Sequence, residues 1–347
     1  MFNPKFEITN SILKNIGTIE AAREIITDAP LLPLWEKKFR DDAVIRTAHH
    51  GTHVEGNRLN LSEAKDVLLG QDVIGRARDV QEIINYRKTL IAIEQESEKG
   101  LKRITEGTIK KLHRSTMDRV LEPDKIGEYR IKSVIIRNSA TGEITFRPPP
   151  PLEVSFLMRE FVYWINQTNS DDLHPVLKAG IAHHQLTDIH PFIDGNGRVS
   201  RALSTLILFL EKYDIRRFFS LEEYYDRDAI EYYNHLEAAS KGDLTSWLEY
   251  FVIGVAMEFD RVKKKVLKLS KDTYLREKLG GKQVFLSERE TRIVEYIQGV
   301  GYLQNQMFRD VVPGASEDTI LRDIHELIEK GIIKKVGKTK AARYVMV

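Results

Sequence analysis

The sequence predicts a mainly α-helical fold in two parts, and three observations lead there. Helix-period apolar patterning with cap residues at its breaks runs through most of residues 1–258. Strand-like alternation is confined to two places, residues 131–147 and the C-terminal tail. A Gly280-Gly281 pair then divides a basic helix from a compact pattern of three helical and two β-like runs.

The elements follow in order. Residues 1–60 read as helices, with Thr9 or Asn10 as the cap before SILKNI. LWEKKFRDDAVIRTA is amphipathic, and Gly56 suits the C′ position after it. Residues 61–128 continue as LSEAKDVLLG, a long segment to about Lys99, and TEGTIKKLHRSTMDRVL. Residues 131–147 alternate around a turn from Asn138 to Gly142, and Pro148 to Pro151 end that hairpin. Residues 152–258 carry further helices; one begins after His174-Pro175 and ends at Ile189. The run RVSRALSTLILFLEKY has an apolar stripe of Val199, Leu203, Leu206, Ile207 and Leu210. Residues 259–284 read as a helical linker, DRVKKKVLKLSKDTYLREKL, up to the glycine pair.

Residues 285–347 read as a winged helix-turn-helix. Ser287 and Ser316 are N-caps, and Ile320, Ile324, Leu327 and Ile328 make the third helix's buried stripe. Two β-like runs about Gly337-Lys338 form the wing. Lys334, Lys335, Lys338, Lys340 and Arg343 favour DNA. Glu317, Asp318, Asp323, Glu326 and Glu329 on the third helix oppose it. Duplex DNA and a dimerisation or target-docking role both stay open.

The 347 residues, 42% hydrophobic and 30% charged, suit two or three globular domains. There is no cysteine, which excludes disulfides and favours a cytoplasmic location. The first residues carry no secretory pattern, and no apolar run is long enough to span a membrane. A net charge of +2 is silent about nucleic acid.

The densest chemistry is the loop His190 to Arg201, HPFIDGNGRVSR. Pro191 stops the preceding helix and biases His190 out of the α region. With a pKa near 6.5, a histidine there can take a proton at cellular pH. Asp194 is a hard oxygen ligand, and one carboxylate with substrate phosphates is how Mg²⁺ is usually held. Gly195, Asn196 and Gly197 can turn successive N–H groups into an anion nest at a helix N-terminus. Arg198 and Arg201 lie three apart on that first turn, and each can fork onto phosphate.

The loop matches the Fic motif HPFx(D/E)GNGRxxR at every fixed position. The resemblance extends over roughly residues 5–258. IKSVIIRNSATGEITFRPPPP looks like the family's β-hairpin flap, and residues 228–243 resemble the helix that closes its nucleotide pocket. The resemblance implies a Fic-type helical core over residues 61–258 that moves AMP from ATP to a Ser, Thr or Tyr hydroxyl of a protein. It implies His190 as base and Asp194 on Mg²⁺. The N–H groups of residues 195–197, with the Asn196 side chain, hold phosphates. By the same resemblance, Arg198 is expected to neutralise the β-phosphate and Arg201 to orient the γ-phosphate. Tyr232 or Tyr233 lines the base pocket, and the flap docks the target by strand addition.

HHGTHVEGN, residues 49–57, resembles the family's inhibitory motif (S/T)xxxE(G/N), with Glu55 as the glutamate that pairs with Arg201. One residue departs: Gly51 stands at the Ser/Thr position. A mid-helix glycine costs about 1 kcal/mol against alanine, so the brake is expected to be looser or its helix to fray. Removal of AMP by the same glutamate also stays open. His49, His50 and His53, and separately His183, His184 and His190, have the spacing of metal ligands, but no carboxylate or cysteine completes either set at a recognised spacing. His183 reads instead as packed behind the loop. The sequence leaves open a homodimer, a different phosphate-bearing donor, and a DNA-binding transcriptional regulator with a nucleotide-sensing core.

Overall fold

The computed structural model describes residues 2–29, 33–137, 142, 144–168, 172–213, 218, 220–278, 286–337 and 343–347. It divides into two compact units, Met1–Thr273 and Tyr274–Val347.

Unit 1 is helical. α1 (Asn10–Asp28) starts where the Thr9 hydroxyl accepts the Ile12 N–H. α2 (Pro33–His53) follows, then α3 (Leu61–Leu68) with an Asn60/Glu63 capping box. α4 (Ala77–Glu98) and α5 (Glu106–Met117) come next. The α5 pattern ends at Met117 rather than continuing through Leu121, because Asp118 leaves the helical region. The expected flap is a two-stranded antiparallel pair, β1 (Ile136–Arg137) and β2 (Ile144–Phe146), shorter than residues 131–147. Its turn, apart from Gly142, lies outside the described residues. The prolines then open α6 (Pro151–Gln167), with Pro151 at the first helical position, where no N–H is missed.

α7 (Pro175–Ile189) and α8 (Asn196–Leu210) form the centre. α7 is buried on nearly every side, and its buried residues include Lys178, His183 and His184 as well as its apolar ones. α8 buries Val199, Leu203, Leu206 and Ile207 against it, while Leu210 is half-buried. α9 (Leu221–Arg227), α10 (Ala229–Ala239) and α11 (Thr245–Lys278), the last as far as Thr273, complete the unit. α11 is one continuous helix and not a separate linker from residue 259. Phe259, Val262 and Val266 belong to the unit 1 core because the apolar stripe that begins at Trp247 continues through them. The glycine pair at 280–281 lies outside the described residues.

Unit 2 contains α12 (Glu288–Val300), a 3₁₀ turn at Asn305–Met307, α13 (Phe308–Val311) and α14 (Glu317–Glu329). Ser287 and Ser316 cap α12 and α14 through their hydroxyls. β3 (Ile333–Val336) pairs antiparallel with β4 (Arg343–Met346). Ile293, Ile297, Phe308, Ile320, Ile324 and Leu327 share its core. Asp323 does not face solvent: it is buried against Arg289 at 2.7 Å. Lys338 and Lys340 lie outside the described residues. No helix among the described residues is long and apolar enough to cross a membrane.

Candidate active site

The loop between α7 and α8 takes its shape from residues on both sides. His190 ends α7 in the left-handed region (φ 50°, ψ 57°), rather than the extended one that Pro191 alone favours. Non-glycine residues sit there only when their surroundings hold them. Here the Arg130 Nε–H donates to the His190 carbonyl at 2.8 Å, and the Arg130 N–H donates to the Pro191 carbonyl at 2.9 Å. His190 Nδ1 lies 3.2 Å from the Thr187 carbonyl, which assigns the proton to Nδ1 and the lone pair to Nε2. Burial pushes its pKa below the ordinary value, though the Thr187 carbonyl pulls the other way.

Phe192 anchors the loop. It is fully buried and stacks on His113, with centroids 3.9 Å apart. His113 Nδ1 accepts the Gly127 N–H and its Nε2–H donates to the Asp194 carbonyl. Burial keeps His113 neutral, its pKa lowered to about 4. The Asn196 side chain departs from expectation. Its amide bonds the Phe192 N–H and C=O at 2.9 and 2.8 Å, so it closes the loop and leaves only its backbone N–H for an anion. Gly195 has φ +81°, the positive value that the nest requires.

Asp194 accepts from Arg78 at 2.7 Å and from Arg198 at 3.3 Å. Burial alone would raise its pKa; Arg198 and then Arg78 more than offset this and hold it low. Arg198 is 2% exposed and donates to Glu82 at 2.9 Å. Arg78 shares that Glu82 oxygen, and Asn57 donates to the other. Arg130, His113, Arg78 and Glu82 were not singled out in the sequence.

Arg201 is 1% exposed. Its guanidinium donates to Glu55 Oε1 at 2.8 Å and to the Gly51 carbonyl at 2.9 Å. A Cβ on Gly197 would overlap Glu55 Oε1, so the carboxylate rests directly on the first turn of α8. The structure thus brings Glu55, Gly197 and Arg201 together. Burial would raise the Glu55 pKa, but Arg201 and then Arg198 hold it below the carboxylate range. α2 does not fray at Gly51. It runs to His53, because Gly51 packs flat on Tyr86, where a Cβ would meet Cε1 at 2.6 Å.

Tyr232 is fully buried, with its hydroxyl 3.5 Å from Arg201 and 2.8 Å from His183. Tyr233 is 45% exposed and donates to the Val54 carbonyl. Of the two, Tyr233 is the exposed one. His183 is buried and held far below its ordinary pKa by burial, then by Arg201. His183, His184 and His190 form no metal-ligand group among the described residues.

Residues 103–208 match the family model described as Fic/DOC family. Protein adenylyltransferase Fic of Drosophila grimshawi is 30% identical over 219 residues, 62% of this chain and 42% of that protein. The protein of the same name from Culex quinquefasciatus is 28% identical over 242 residues, 68% of this chain and 45% of the relative. The chain therefore spans less than half the length of these relatives. A solved Fic family protein from Desulfovibrio desulfuricans G20 superposes with a TM-score of 0.69 at 25% identity, over 100% of this chain and 98% of the other. A Fic domain containing signaling protein from Bacteroides thetaiotaomicron VPI-5482 shares the fold, with a TM-score of 0.61 at 24% identity over 76% and 97% of the two chains. With the His190–Arg201 loop inside the matched segment, residues 103–208 carry a Fic/DOC family domain.

Proposed function

We propose that this chain is a protein adenylyltransferase, moving AMP from ATP to a protein hydroxyl, and that Glu55 restrains it. The observation that carries the reading is the Glu55 carboxylate on Arg201 and against Gly197. It is an anion held by a guanidinium at a helix N-terminus, the surroundings that bind a phosphate oxygen. In ATP's absence the carboxylate stands in for the γ-phosphate.

In the proposed reaction, His190 Nε2 takes the proton of the target hydroxyl. The freed oxygen bonds to the α-phosphorus, and the bond from that phosphorus to the bridging oxygen breaks, releasing pyrophosphate. The Gly195 N–H already donates to Asp194 Oδ1 at 2.6 Å, so the backbone N–H groups of Asn196 and Gly197 hold the phosphates, Arg198 offsets charge on the β-phosphate, and Arg201 positions the γ-phosphate once Glu55 withdraws. Catalysis by positioning and fixed charge is what phosphoryl-type transfer needs. Asp194 fits Mg²⁺: it is a single carboxylate, 35% exposed at its side chain, at the start of the Gly195 turn. Mg²⁺ there would neutralise charge on the leaving group. Tyr233 is assigned to the base and the β1–β2 edge to an extended segment of the target.

Unit 2 is assigned as a winged helix, on the support of three helices followed by the β3–β4 hairpin. Lys334, Lys335 and Arg343 are exposed on that hairpin.

The test is label transfer from α-³²P-ATP with Mg²⁺, alone and with cell lysate. Label should rise in Glu55→Gly and vanish in His190→Ala. A His190→Ala protein that still labels its target refutes the base assignment.

A further inference from the structure

Three histidines near the end of α2 meet one carboxylate from α9. His50 Nδ1 lies 2.7 Å from Asp226 Oδ2, and His53 Nδ1 lies 2.7 Å from Asp226 Oδ1. The Asp226 side chain is 8% exposed. His49 is 7% exposed, and its Nδ1 has no hydrogen-bond partner among the described residues. Its ring centroid is 4.5 Å from that of His50 and 5.3 Å from that of His53. One ligand atom each from His49, His50 and Asp226 falls within a 4.8 Å span. The sequence offered the histidines without a closing carboxylate; Asp226 stands 173 residues beyond His53.

We propose that His49, His50 and Asp226 bind one divalent transition-metal ion of the zinc class, and that the ion fastens the Glu55 turn to α9. Two imidazoles and one carboxylate are a recognised three-ligand zinc set, with the fourth position left to water. Bonds of about 2.0–2.2 Å in a tetrahedron separate ligand atoms by roughly 3.3 Å. The His50–Asp226 contact would widen by about half an ångström to reach that value, and the three ligand atoms already lie within 4.8 Å of one another. His53 then holds the other carboxylate oxygen, the outer-shell support such ligands require. A carboxylate shared between two histidines accounts for His50 and His53. It leaves His49 buried beside them with a bare nitrogen, and buried polar groups without partners call for an explanation.

The site lies on the turn that carries the contacts to Arg201. Gly51, one residue beyond His50, accepts from Arg201 through its carbonyl, and Glu55 follows His53 by two residues. An ion bridging α2 to α9 would hold that turn in place. This second half rests on the proposed restraint by Glu55; the binding half does not.

The experiment uses the full chain, stripped by chelation and titrated with Co²⁺ as a coloured stand-in for Zn²⁺. One equivalent should give the visible absorption of a tetrahedral site and be displaced by Zn²⁺. Asp226→Asn and His50→Gln, each checked for parent-like circular dichroism, should weaken binding at least tenfold, the scale on which ligand-shell changes act. Zn²⁺ should slow amide exchange over residues 50–56 in the parent and leave it unchanged in both variants. No Co²⁺ binding by the parent, or equal binding by a folded variant, overturns the site. Binding without slowed exchange overturns the fastening. Neither readout needs AMP transfer, so failure of the transferase reading would show separately as absent label.

Discussion

Glu55→Gln keeps the side chain's size and removes its charge, so it isolates what the carboxylate does for Arg201. Charge-assisted hydrogen bonds contribute about 1.5–3 kcal/mol against about 1 for neutral ones. Removing one partner of a fully buried pair costs about 3–5 kcal/mol. Arg201 is fully buried, but the Glu55 side chain is 22% exposed, so solvent screens part of that cost. A loss of about 2 kcal/mol follows, which at roughly 2 °C per kcal/mol for a unit of this size lowers the melting temperature by about 4 °C. The same 2 kcal/mol no longer opposes the γ-phosphate, so AMP transfer should rise by a factor of roughly 30. Calorimetry without nucleotide, calorimetry with saturating Mg·ATP, and label transfer test this together. The variant should be the less stable protein without ATP and should gain more from it. Equal melting temperatures, equal ATP shifts and unchanged label would refute the reasoning, because Arg201 would then owe nothing to Glu55. The sign with pH is also fixed. The Glu55 pKa is lowered in the fold, so its contribution is complete above the ordinary value of 4.5 and is lost only as pH falls below it. Restraint should therefore be constant from pH 5 upward.

Gly51→Ala should destabilise the protein by about 1–2 kcal/mol in urea titrations, since the 2.6 Å approach to Tyr86 outweighs the roughly 1 kcal/mol of helix propensity gained; a more stable variant would show that the ring yields. Transfer by Glu55→Gln should be flat above pH 6.5 and decline only below it, because burial lowers the His190 pKa and keeps the base neutral. An inflection above pH 7 would assign the base to another group. His113 and His184 both have pKa values lowered to about 4, so each contributes fully above pH 6.5 and progressively less toward pH 4. The urea midpoint should fall over that interval and less so in His113→Phe, which starts lower because the Gly127 N–H loses its acceptor.

What was legible in the sequence was local. Pro191 stops α7 at Ile189, Thr9, Ser287 and Ser316 cap their helices, and the stripe from Val199 to Ile207 names the buried face of α8. Each is decided within a turn or two of chain. The missed residues reach the site from elsewhere. Arg78 and Glu82 sit on α4, where charges four apart look like a solvated helix face. Asp226 lies among Glu222, Glu223 and Arg227, which gives no hint of one acid turned inward onto two histidines. Gly51 was read through helix propensity alone, although the missing side chain is what lets α2 lie on Tyr86. The Asn196 amide bonds its own loop, and nothing local in the sequence tells such a side chain from one aimed at a phosphate.

The two loop arginines have the same chemistry and opposite settings, and under the proposed reaction this decides which of them can be regulated. Arg198 is held by Glu82, itself 5% exposed and further tied to Arg78 and Asn57. Withdrawing Glu82 would strip three partners at once, so that pair is permanent and serves to aim Arg198 and Asp194. Arg201 is held by a glutamate on a turn just past the end of α2, with 22% of its side chain in contact with solvent. In the proposed reaction Glu55 would leave behind only Arg201, and an incoming phosphate would compensate that charge at once. A restraint works only where the displaced group can reach water and the group left behind gains a new partner. Among the contacts of these two arginines, Glu55 with Arg201 is the pair that meets both conditions.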